Sequence, residues 1–392
     1  MKQYEQTFFE YFGKKPEYLF SAPGRTELGG NHTDHQHGCV VAAAVNLETL
    51  AWVAENDLGV IRVQSEGYPL SEVDISDLSV RKEEKNTTSS LIRGVAACIS
   101  EMGASVSGFD AYCISGVLPG SGLSSSAAFE VLMGVIMNHL FFDSKCTPTK
   151  IAQIGQYAEN VYFGKPSGLM DQMACSLGNI IGIDFNNPEN PIVERVDFDF
   201  SSCGHALCII DSGADHAELT REYAAIPLEM KKVAACLGKE YLRDVDQEEF
   251  YGNIKNVREA CGDRAVLRAI HFFNENERAQ KQLDALKRNI FDLFLSLVKE
   301  SGRSSRELLQ NIAPAGYTDH QEVAVALSLA EHLLSGRGAV RVHGGGFAGT
   351  IQAFVPDDML DSFKNGIEKV LGIGSCHVLS IRPEGGILVK KY

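Results

Sequence analysis

A segment rich in glycine and serine, at residues 118–128, has the composition of a loop that holds phosphate groups. Glycine lets the backbone approach a ligand closely, and serine can cap the following helix, whose first N–H groups lack partners and attract anions. The serine hydroxyls would also be available to a magnesium ion. The pattern GxxxxGK[ST] is absent from the sequence, so a Walker-type site is excluded, and an ordinary turn before a capped helix is the alternative. The candidate phosphate-binding residues are Pro119, Gly120, Ser121, Gly122, Leu123, Ser124, Ser125 and Ser126.

A second polar segment, at residues 23–38, gathers several kinds of donor and acceptor in a span that should be mostly loop. Small polar ligands such as sugars require this kind of convergent set. Its three histidines could instead be metal ligands, although no structural zinc pattern or HExxH accompanies them, and a solvated surface loop is a further alternative. The side chains concerned are Arg25, Glu27, Asn31, His32, Asp34, His35 and His37.

Two acids form a third candidate. Glu159 lies near the end of a predicted helix, and Asp171 follows Gly168 amid the apolar residues Leu169 and Met170. An acid among apolar residues is costly to bury unless it is paired or used chemically, which favours a functional role. An exposed loop position is the alternative for Asp171.

The elements that would position these segments are mixed. Short apolar runs bounded by Gly, Pro, Asn and Asp predict strands at 40–45, 50–54, 60–63, 111–117, 180–185, 206–210, 339–343, 350–355 and 378–381. Helical spacing of apolar residues predicts helices at 89–102, 124–140, 147–162, 215–237, 279–299, 319–335 and 357–371, with Pro227 expected to kink the fourth. Residues 186–191 are the candidate linker. The pattern indicates two α+β domains with a cleft between them.

Composition limits the classes of function. The 392 residues carry 36 basic and 51 acidic side chains, a formal net charge of −15, and 44% are hydrophobic. Such a charge repels phosphate backbones and anionic lipid, so we expect neither a nucleic-acid nor a membrane partner. The ten cysteines contain no CxxC pair and fit scattered thiols in a reducing compartment. With no apolar leader at the N-terminus and no long apolar run, we expect a cytoplasmic protein.

Taken together, the segments resemble those of the GHMP kinases and, within them, the galactokinase family. The opening segment resembles the signature G-R-x-N-L-I-G-E-H-T-D-Y-N, and PGSGLSSSAA at 119–128 matches the GHMP phosphate loop. RVHGGGFAGT at 341–350 matches the third, glycine-rich motif, GLMDQ at 168–172 resembles G-x-x-D-Q, and NENER at 274–278 is similar to T-E-N-E-R. The motifs occur in the family's order from about Phe20 to Val355.

The resemblance implies a two-domain α+β GHMP kinase fold. The N-terminal domain is expected at 1–195 and to be like domain 2 of ribosomal protein S5, and the C-terminal domain is expected at 196–392 and to be ferredoxin-like. The resemblance also implies that the site lies in the cleft between them. The resemblance also implies transfer of the ATP γ-phosphoryl group to the anomeric hydroxyl of galactose, giving galactose 1-phosphate, with Mg²⁺ as cofactor. We expect a monomer or a weak homodimer that binds only the sugar and ATP.

Residue roles follow from motif position. Asp171 corresponds to the acid that accepts the sugar hydroxyl proton, and Arg25 to the arginine that keeps this acid ionised. Ser126 and Glu159 correspond to the magnesium ligands, and the backbone N–H groups of residues 120–125 would hold the phosphates of ATP. The implied sugar-binding residues are Asn31, His32, Asp34, Gly168 and Tyr223.

The sequence departs from the family pattern at the sugar end of the site. Asn31 replaces the signature's Glu, which in galactokinases lies near the C6 hydroxyl of the sugar. Asn loses a charge-assisted hydrogen bond there but also removes repulsion against an anionic group. We therefore expect altered preference at C6 or C2, for instance for galacturonate, N-acetylgalactosamine or L-arabinose. The other departures are Thr26-Glu27 for an apolar-Asn pair, His35-Gln36 for Tyr-Asn, and Tyr223-Ala224 for Tyr-Asn.

A non-catalytic galactose sensor is the alternative from another class of function. Galactokinase-like sensors lose residues directly after the serines of the phosphate loop. Here Ala127 and Ala128 fill that place, and Arg25 and Asp171 are both present. These residues favour an enzyme.

Overall fold

The computed structural model describes residues 1–117, 122–214 and 219–392. Part of the predicted phosphate loop, including Pro119, Gly120 and Ser121, and the start of the helix predicted at 215 lie outside these ranges. The α-helices are α1 (Lys2–Phe12), α2 (Thr88–Glu101), α3 (Ser125–Phe141), α4 (Pro148–Tyr157), α5 (Met170–Leu177), α6 (Thr220–Cys236), α7 (Gln247–Gly252), α8 (Ile254–Cys261), α9 (Asp263–Lys287), α10 (Phe291–Ser304), α11 (Glu322–Leu334) and α12 (Leu360–Leu371).

The strands form two sheets. The strands are β1 (Tyr18–Gly29), β2 (Cys39–Asn56), β3 (Val60–Ser65), β4 (Ser71–Asp74), β5 (Gly108–Ser115), β6 (Ile180–Asp184), β7 (Ile192–Val196), β8 (His205–Asp211), β9 (Ala339–Val342), β10 (Thr350–Pro356), β11 (Cys376–Leu379) and β12 (Ile387–Lys391).

The larger sheet has eight strands in the order β12-β1-β2-β5-β3-β4, with β6 paired to β2 and β7 paired to β6. The long strand β2 makes this arrangement possible, because its first half pairs with β6 and its second half with β5. Its side chains from Cys39 to Val45 are all buried. The strands predicted at 40–45 and 50–54 are one strand here, because β1 pairs with residues 41–44 and again with residues 48–53.

The smaller sheet has four antiparallel strands in the order β11-β8-β10-β9. Helices α11 and α12 cover one of its faces through a buried apolar cluster that includes Leu327, Ile351 and Phe363. A second cluster contains Phe20 of the large sheet together with Phe294 of α10 and Phe354 of β10, so the two sheets share one core. The mixed α+β class expected from the sequence is therefore confirmed.

Two predictions about connections are wrong. Residues 186–191 join β6 to β7, which pair antiparallel in one sheet, so they form a hairpin connection rather than a linker. The helix predicted at 279–299 is divided between α9 and α10, because Asn289 has a left-handed backbone (φ 56°) that ends the first helix. The larger sheet takes strands from residues 18–196 and also β12, and the division of domains at 195/196 stays a prediction.

Strand β1 brings the N-terminal signature to the phosphate loop. Its register with β2 shifts between Pro23 and Arg25, and the Arg25 N–H donates to the Leu123 carbonyl oxygen at 3.0 Å. A Cβ atom on Gly24 would lie 2.9 Å from the same oxygen. Only glycine permits this approach, so the segment Pro23-Gly24-Arg25 places the arginine directly beside the start of α3.

Gly30, directly after β1, is held in a tightly packed position with a left-handed backbone. Its φ is +87°, and a Cβ atom would lie 2.4 Å from the Cys39 carbonyl oxygen. Gly67 has a similar φ of +80° with nothing within 4 Å. We predict that Gly67→Ala lowers the free energy of unfolding by about 1 kcal/mol, the cost of its backbone conformation. Gly30→Ala adds the clash and should cost roughly 3 kcal/mol or more. Urea unfolding of both variants checks this, and equal losses would contradict it.

Candidate active site

An ion pair between residues 146 positions apart forms the centre of the candidate site. The guanidinium of Arg25 binds the Asp171 carboxylate in bidentate fashion, with Nε–Oδ1 at 2.7 Å and Nη2–Oδ2 at 2.8 Å. Arg25 comes from β1 and is 5% exposed, and Asp171 lies in the first turn of α5 and is half-buried. The planar fork of arginine matches a carboxylate, so the pair fixes both side chains relative to each other.

The phosphate loop contacts this pair directly. The hydroxyl of Ser124 donates to Asp171 Oδ2, and Arg25 Nη1 donates to the Gly122 carbonyl oxygen. Ser124 has a left-handed backbone (φ 57°) immediately before α3, which is uncommon for serine and is found at functional sites. Burial alone would raise the pKa of Asp171, but Arg25 and Ser124 outweigh burial and hold this pKa below its usual value. The carboxylate is therefore ionised at neutral pH.

A second group of polar residues lies beside the start of α3. Glu159 is buried in a π-turn (Ala158–Phe163) that follows α4. Its Oε1 lies 3.4 Å from the Ser126 hydroxyl and 2.9 Å from Lys165 Nζ, and its Oε2 accepts from Ser167 Oγ at 2.5 Å and Gln172 Nε2 at 3.1 Å. The structure thus brings together the two residues expected to bind magnesium.

The donor set of this group fits a hard cation. Carboxylate and hydroxyl oxygens, such as those of Glu159 and Ser126, are the ligands that Mg²⁺ prefers, usually together with substrate phosphates and water. Lys165 Nζ binds Oε1 of Glu159, the same oxygen that faces the Ser126 hydroxyl. Over the described residues there is no group of three or more His, Cys, Asp or Glu side chains able to hold a metal by themselves.

The expected sugar-binding residues meet the third glycine-rich motif. Asn31 Nδ2, His32 Nε2 and the Tyr223 hydroxyl bind the carbonyl oxygens of residues 344, 345 and 346 at 2.7, 3.0 and 2.8 Å. A Cβ atom on Gly168 would lie 1.8 Å from Asp34 Oδ2, so the signature also touches the G-x-x-D-Q segment. The structure therefore brings all five residues to the same region.

The three histidines of the signature do not converge. The ring of His37 stacks on Tyr241 at 3.7 Å, and the rings of His32 and His35 lie 6.1 Å apart. Burial lowers the pKa of His32 to about 3, so its ring is neutral at neutral pH. The rings are arranged as separate contacts rather than as a metal centre.

Helix α9 holds the signature from its other side. The buried Glu275 accepts from the Gly30 N–H at 3.2 Å and from the Ser301 hydroxyl at 2.6 Å. His271 Nε2 lies 2.9 Å from the Asn31 carbonyl oxygen. Burial alone would raise the pKa of Glu275, but nearby His271, Arg278 and Arg341 lower it to about 2. The NENER segment at 274–278 therefore anchors the signature backbone.

Several residues of the site were not identified from the sequence. Arg341 forms a buried ion pair with Glu27 of the signature, and the amide of Asn311 binds Asn31 Oδ1 at 2.9 Å. Glu130 is buried on α3, where burial and then Glu159 raise its pKa well above the usual value. Lys165, which binds Glu159 at 2.9 Å, is not among the residues predicted for the site. Only Arg341 carried a signal, because it opens the third glycine-rich motif.

The low pKa of Glu275 makes a prediction about acid stability. The fall from 4.5 to about 2 corresponds to roughly 3 kcal/mol of stability at neutral pH. Because the folded-state pKa is depressed, this stability is present above pH 4.5 and is lost as the pH falls towards 2. Glu275→Gln should therefore be much less stable than the unmodified protein at pH 7, with a difference that shrinks below pH 4.5. Urea unfolding at several pH values measures this, with exposed Glu277→Gln as control, and a constant difference would contradict the prediction.

Two family models match the parts of the chain that contain the signature and the phosphate-loop motif. Residues 6–55 match the family model described as the galactokinase galactose-binding signature, and residues 90–179 match the model of the GHMP kinases N terminal domain. Galactokinase of Actinobacillus pleuropneumoniae is 32% identical over 94% of this chain and 94% of its own length. Galactokinase of Streptomyces coelicolor is 28% identical over 97% of this chain and 96% of its own length.

Solved structures agree with the sequence relatives. The crystal structure of Lactococcus lactis galactokinase complexed with galactose superposes with a TM-score of 0.84 at 25% identity, covering 98% of this chain and 99% of that one. The Methanococcus jannaschii mevalonate kinase, at 12% identity, has a TM-score of 0.65 over 93% of this chain and 98% of its own, which shows the shared fold alone. The GHMP kinase fold expected from the motifs is confirmed, and the chain belongs to the galactokinase family.

Proposed function

We propose that this protein transfers the γ-phosphoryl group of ATP to the anomeric hydroxyl of galactose and releases galactose 1-phosphate. The observation that carries the proposal is the bidentate Arg25–Asp171 pair next to the start of α3. Relatives over nearly the full length are galactokinases, and a similar structure is a galactokinase complexed with galactose. These support galactose as the first sugar to test.

Asp171 is positioned to orient and deprotonate the acceptor. Phosphoryl transfer depends mainly on in-line positioning and on neutralising the charge of the transition state. An ionised carboxylate orients the sugar hydroxyl and takes its proton late, when the bond to phosphorus forms. Arg25 keeps Asp171 ionised and, at the same time, places a positive charge beside the transferred group.

The nucleotide would lie at the N-terminus of α3. The N–H groups of the first helical turn, from Ser125 onwards, lack earlier carbonyl partners within the helix and favour phosphate. Ser126 and Glu159 would hold Mg²⁺, which supplies positive charge to the phosphates when it is bound. Lys165 would have to release Glu159 Oε1 to the ion, and its side chain is 58% exposed, so it can turn towards the phosphates instead.

We also propose a cytoplasmic monomer or weak homodimer without nucleic-acid or membrane partners. The excess of 51 acidic over 36 basic side chains supports the absence of nucleic acid and anionic lipid. No helix in the described ranges is long and apolar enough to cross a bilayer. All ten cysteines are free thiols.

Asp171→Asn tests the enzyme directly. This change keeps the shape of the side chain and removes its charge, so ATP consumption with galactose should fall at least about a hundredfold. Asp263→Asn is the matched control, because Asp263 also pairs with an arginine at 2.7 Å but on the surface, and its activity should be unchanged. If the unmodified protein binds galactose but consumes no ATP with any sugar, the sensor interpretation is right and the proposal is wrong.

A galactose-like sugar altered at C6 or C2 is the second candidate substrate. It is supported by Asn31, which lacks the signature's carboxylate. Its amide hydrogens are donated to Glu27 and to the Gly344 carbonyl oxygen, so they are not available to a C6 hydroxyl. We predict that galacturonate, N-acetylgalactosamine or L-arabinose gives a kcat/KM at least equal to that of galactose. Steady-state kinetics with the four sugars measures this. A strong preference for galactose would reject the altered specificity while supporting the galactokinase activity.

A further inference from the structure

Two departures from the galactokinase signature are reciprocal. The signature has Asn at the position of Glu27 and Glu at the position of Asn31, so an amide and a carboxylate have traded places. The two side chains touch in this structure, with Asn31 Nδ2 at 3.2 and 3.3 Å from the two carboxylate oxygens of Glu27. The two departures from the signature therefore meet in one contact.

The carboxylate of this pair forms an ion pair with a buried arginine. Arg341 is fully buried, and its Nη2 donates to Glu27 Oε1 while its Nε donates to the Val342 carbonyl oxygen at 2.9 Å. Glu27 is itself only 3% exposed. Removing the carboxylate partner of a buried guanidinium is strongly destabilising, because it leaves a buried charge unpaired. A second carboxylate beside Glu27 would be an unpaired buried charge for the same reason.

The amide of the pair serves the third glycine-rich motif. Asn31 is fully buried, and its second amide hydrogen is donated to the Gly344 carbonyl oxygen at 2.7 Å. Its Oδ1 accepts from Asn311 Nδ2 at 2.9 Å and from Ser305 Oγ at 3.3 Å. Every hydrogen-bonding group of the side chain thus has a protein partner, and a carboxylate at this position could not donate to Gly344.

We propose that Glu27 and Asn31 form one functional pair in which the amide and the carboxylate of the signature have exchanged positions. The carboxylate of Glu27 neutralises Arg341, and the Asn31 amide holds the loop at Gly344 by a hydrogen bond. Asn31 is then a positioning residue of the sugar site and not a sugar ligand. Its neighbours His32 and Tyr223 bind the next two carbonyl groups, so release of Gly344 disturbs the sugar pocket. The role in sugar binding rests on the proposed function, whereas the role in stability does not.

Glu27→Gln, Asn31→Asp and the double variant test the exchange without changing side-chain size. Glu27→Gln removes the carboxylate that Arg341 binds, and Asn31→Asp places two carboxylates in contact. Each should lower the midpoint of thermal unfolding, and the double variant, which again has one carboxylate, should lose less than the sum of the two single losses. Non-additivity of this kind is expected for residues that share a contact.

Kinetics separate the positioning role from a purely structural one. The carboxylate introduced by Asn31→Asp cannot donate to the Gly344 carbonyl oxygen, so KM for the sugar should rise about tenfold in this variant. KM should stay raised in the double variant, although its midpoint partly recovers. That tenfold change corresponds to about 1.4 kcal/mol. We expect kcat to change little, because Asn31 does not touch Arg25 or Asp171.

The exposed pair Gln6 and Glu10 is the matched control. It is also an amide–carboxylate contact four residues apart, with Nε2–Oε1 at 3.3 Å, and its exchange should leave midpoint and kinetics unchanged. The proposal is overturned if the two midpoint losses simply add in the double variant. It is equally overturned if Asn31→Asp changes KM with an unchanged midpoint, as a direct sugar ligand would. If no sugar is phosphorylated, the proposed function is wrong, but the unfolding midpoints still show whether Glu27 and Asn31 act as a pair.

Discussion

The bidentate contact between Arg25 and Asp171 determines how the motifs of the candidate site come together. A guanidinium that is almost completely buried requires an ionised partner, and that partner comes from a helix 146 residues later in the chain. The contact requires β1 to pass beside the start of α3 and α5 to begin at the same point. Because Ser124 also donates to Asp171, the phosphate loop, the signature and the G-x-x-D-Q segment meet at one carboxylate.

The end of the site that is expected to bind the sugar is built by two parts of the chain that enclose the signature. Helix α9 binds its backbone through Glu275 and His271, and the third glycine-rich motif presents three successive carbonyl groups to Asn31, His32 and Tyr223. The signature residues are therefore fixed before a sugar arrives. Preorganisation of this kind reduces the cost of orienting a small ligand and makes the pocket sensitive to changes in its supporting contacts.

The sequence alone predicted the family, the mixed fold and the residues that meet at the site, since these depend on short motifs and apolar spacing. It failed where a connection is decided by tertiary packing, as at residues 186–191 and at Asn289. It also could not reveal that Glu27 lies against Arg341, because their 314-residue separation leaves no local signal. The sequence presents Asn31 and Glu27 as two separate departures from the signature, and only the structure places their side chains in contact.

A crystal structure with galactose, magnesium and a non-hydrolysable ATP analogue tests the central role of the Arg25–Asp171 pair most directly. The anomeric oxygen should lie within about 3.2 Å of an Asp171 carboxylate oxygen, in line with the terminal phosphate and with the ion pair intact. A sugar bound productively with its anomeric oxygen out of reach of Asp171 would rule out this role of the pair.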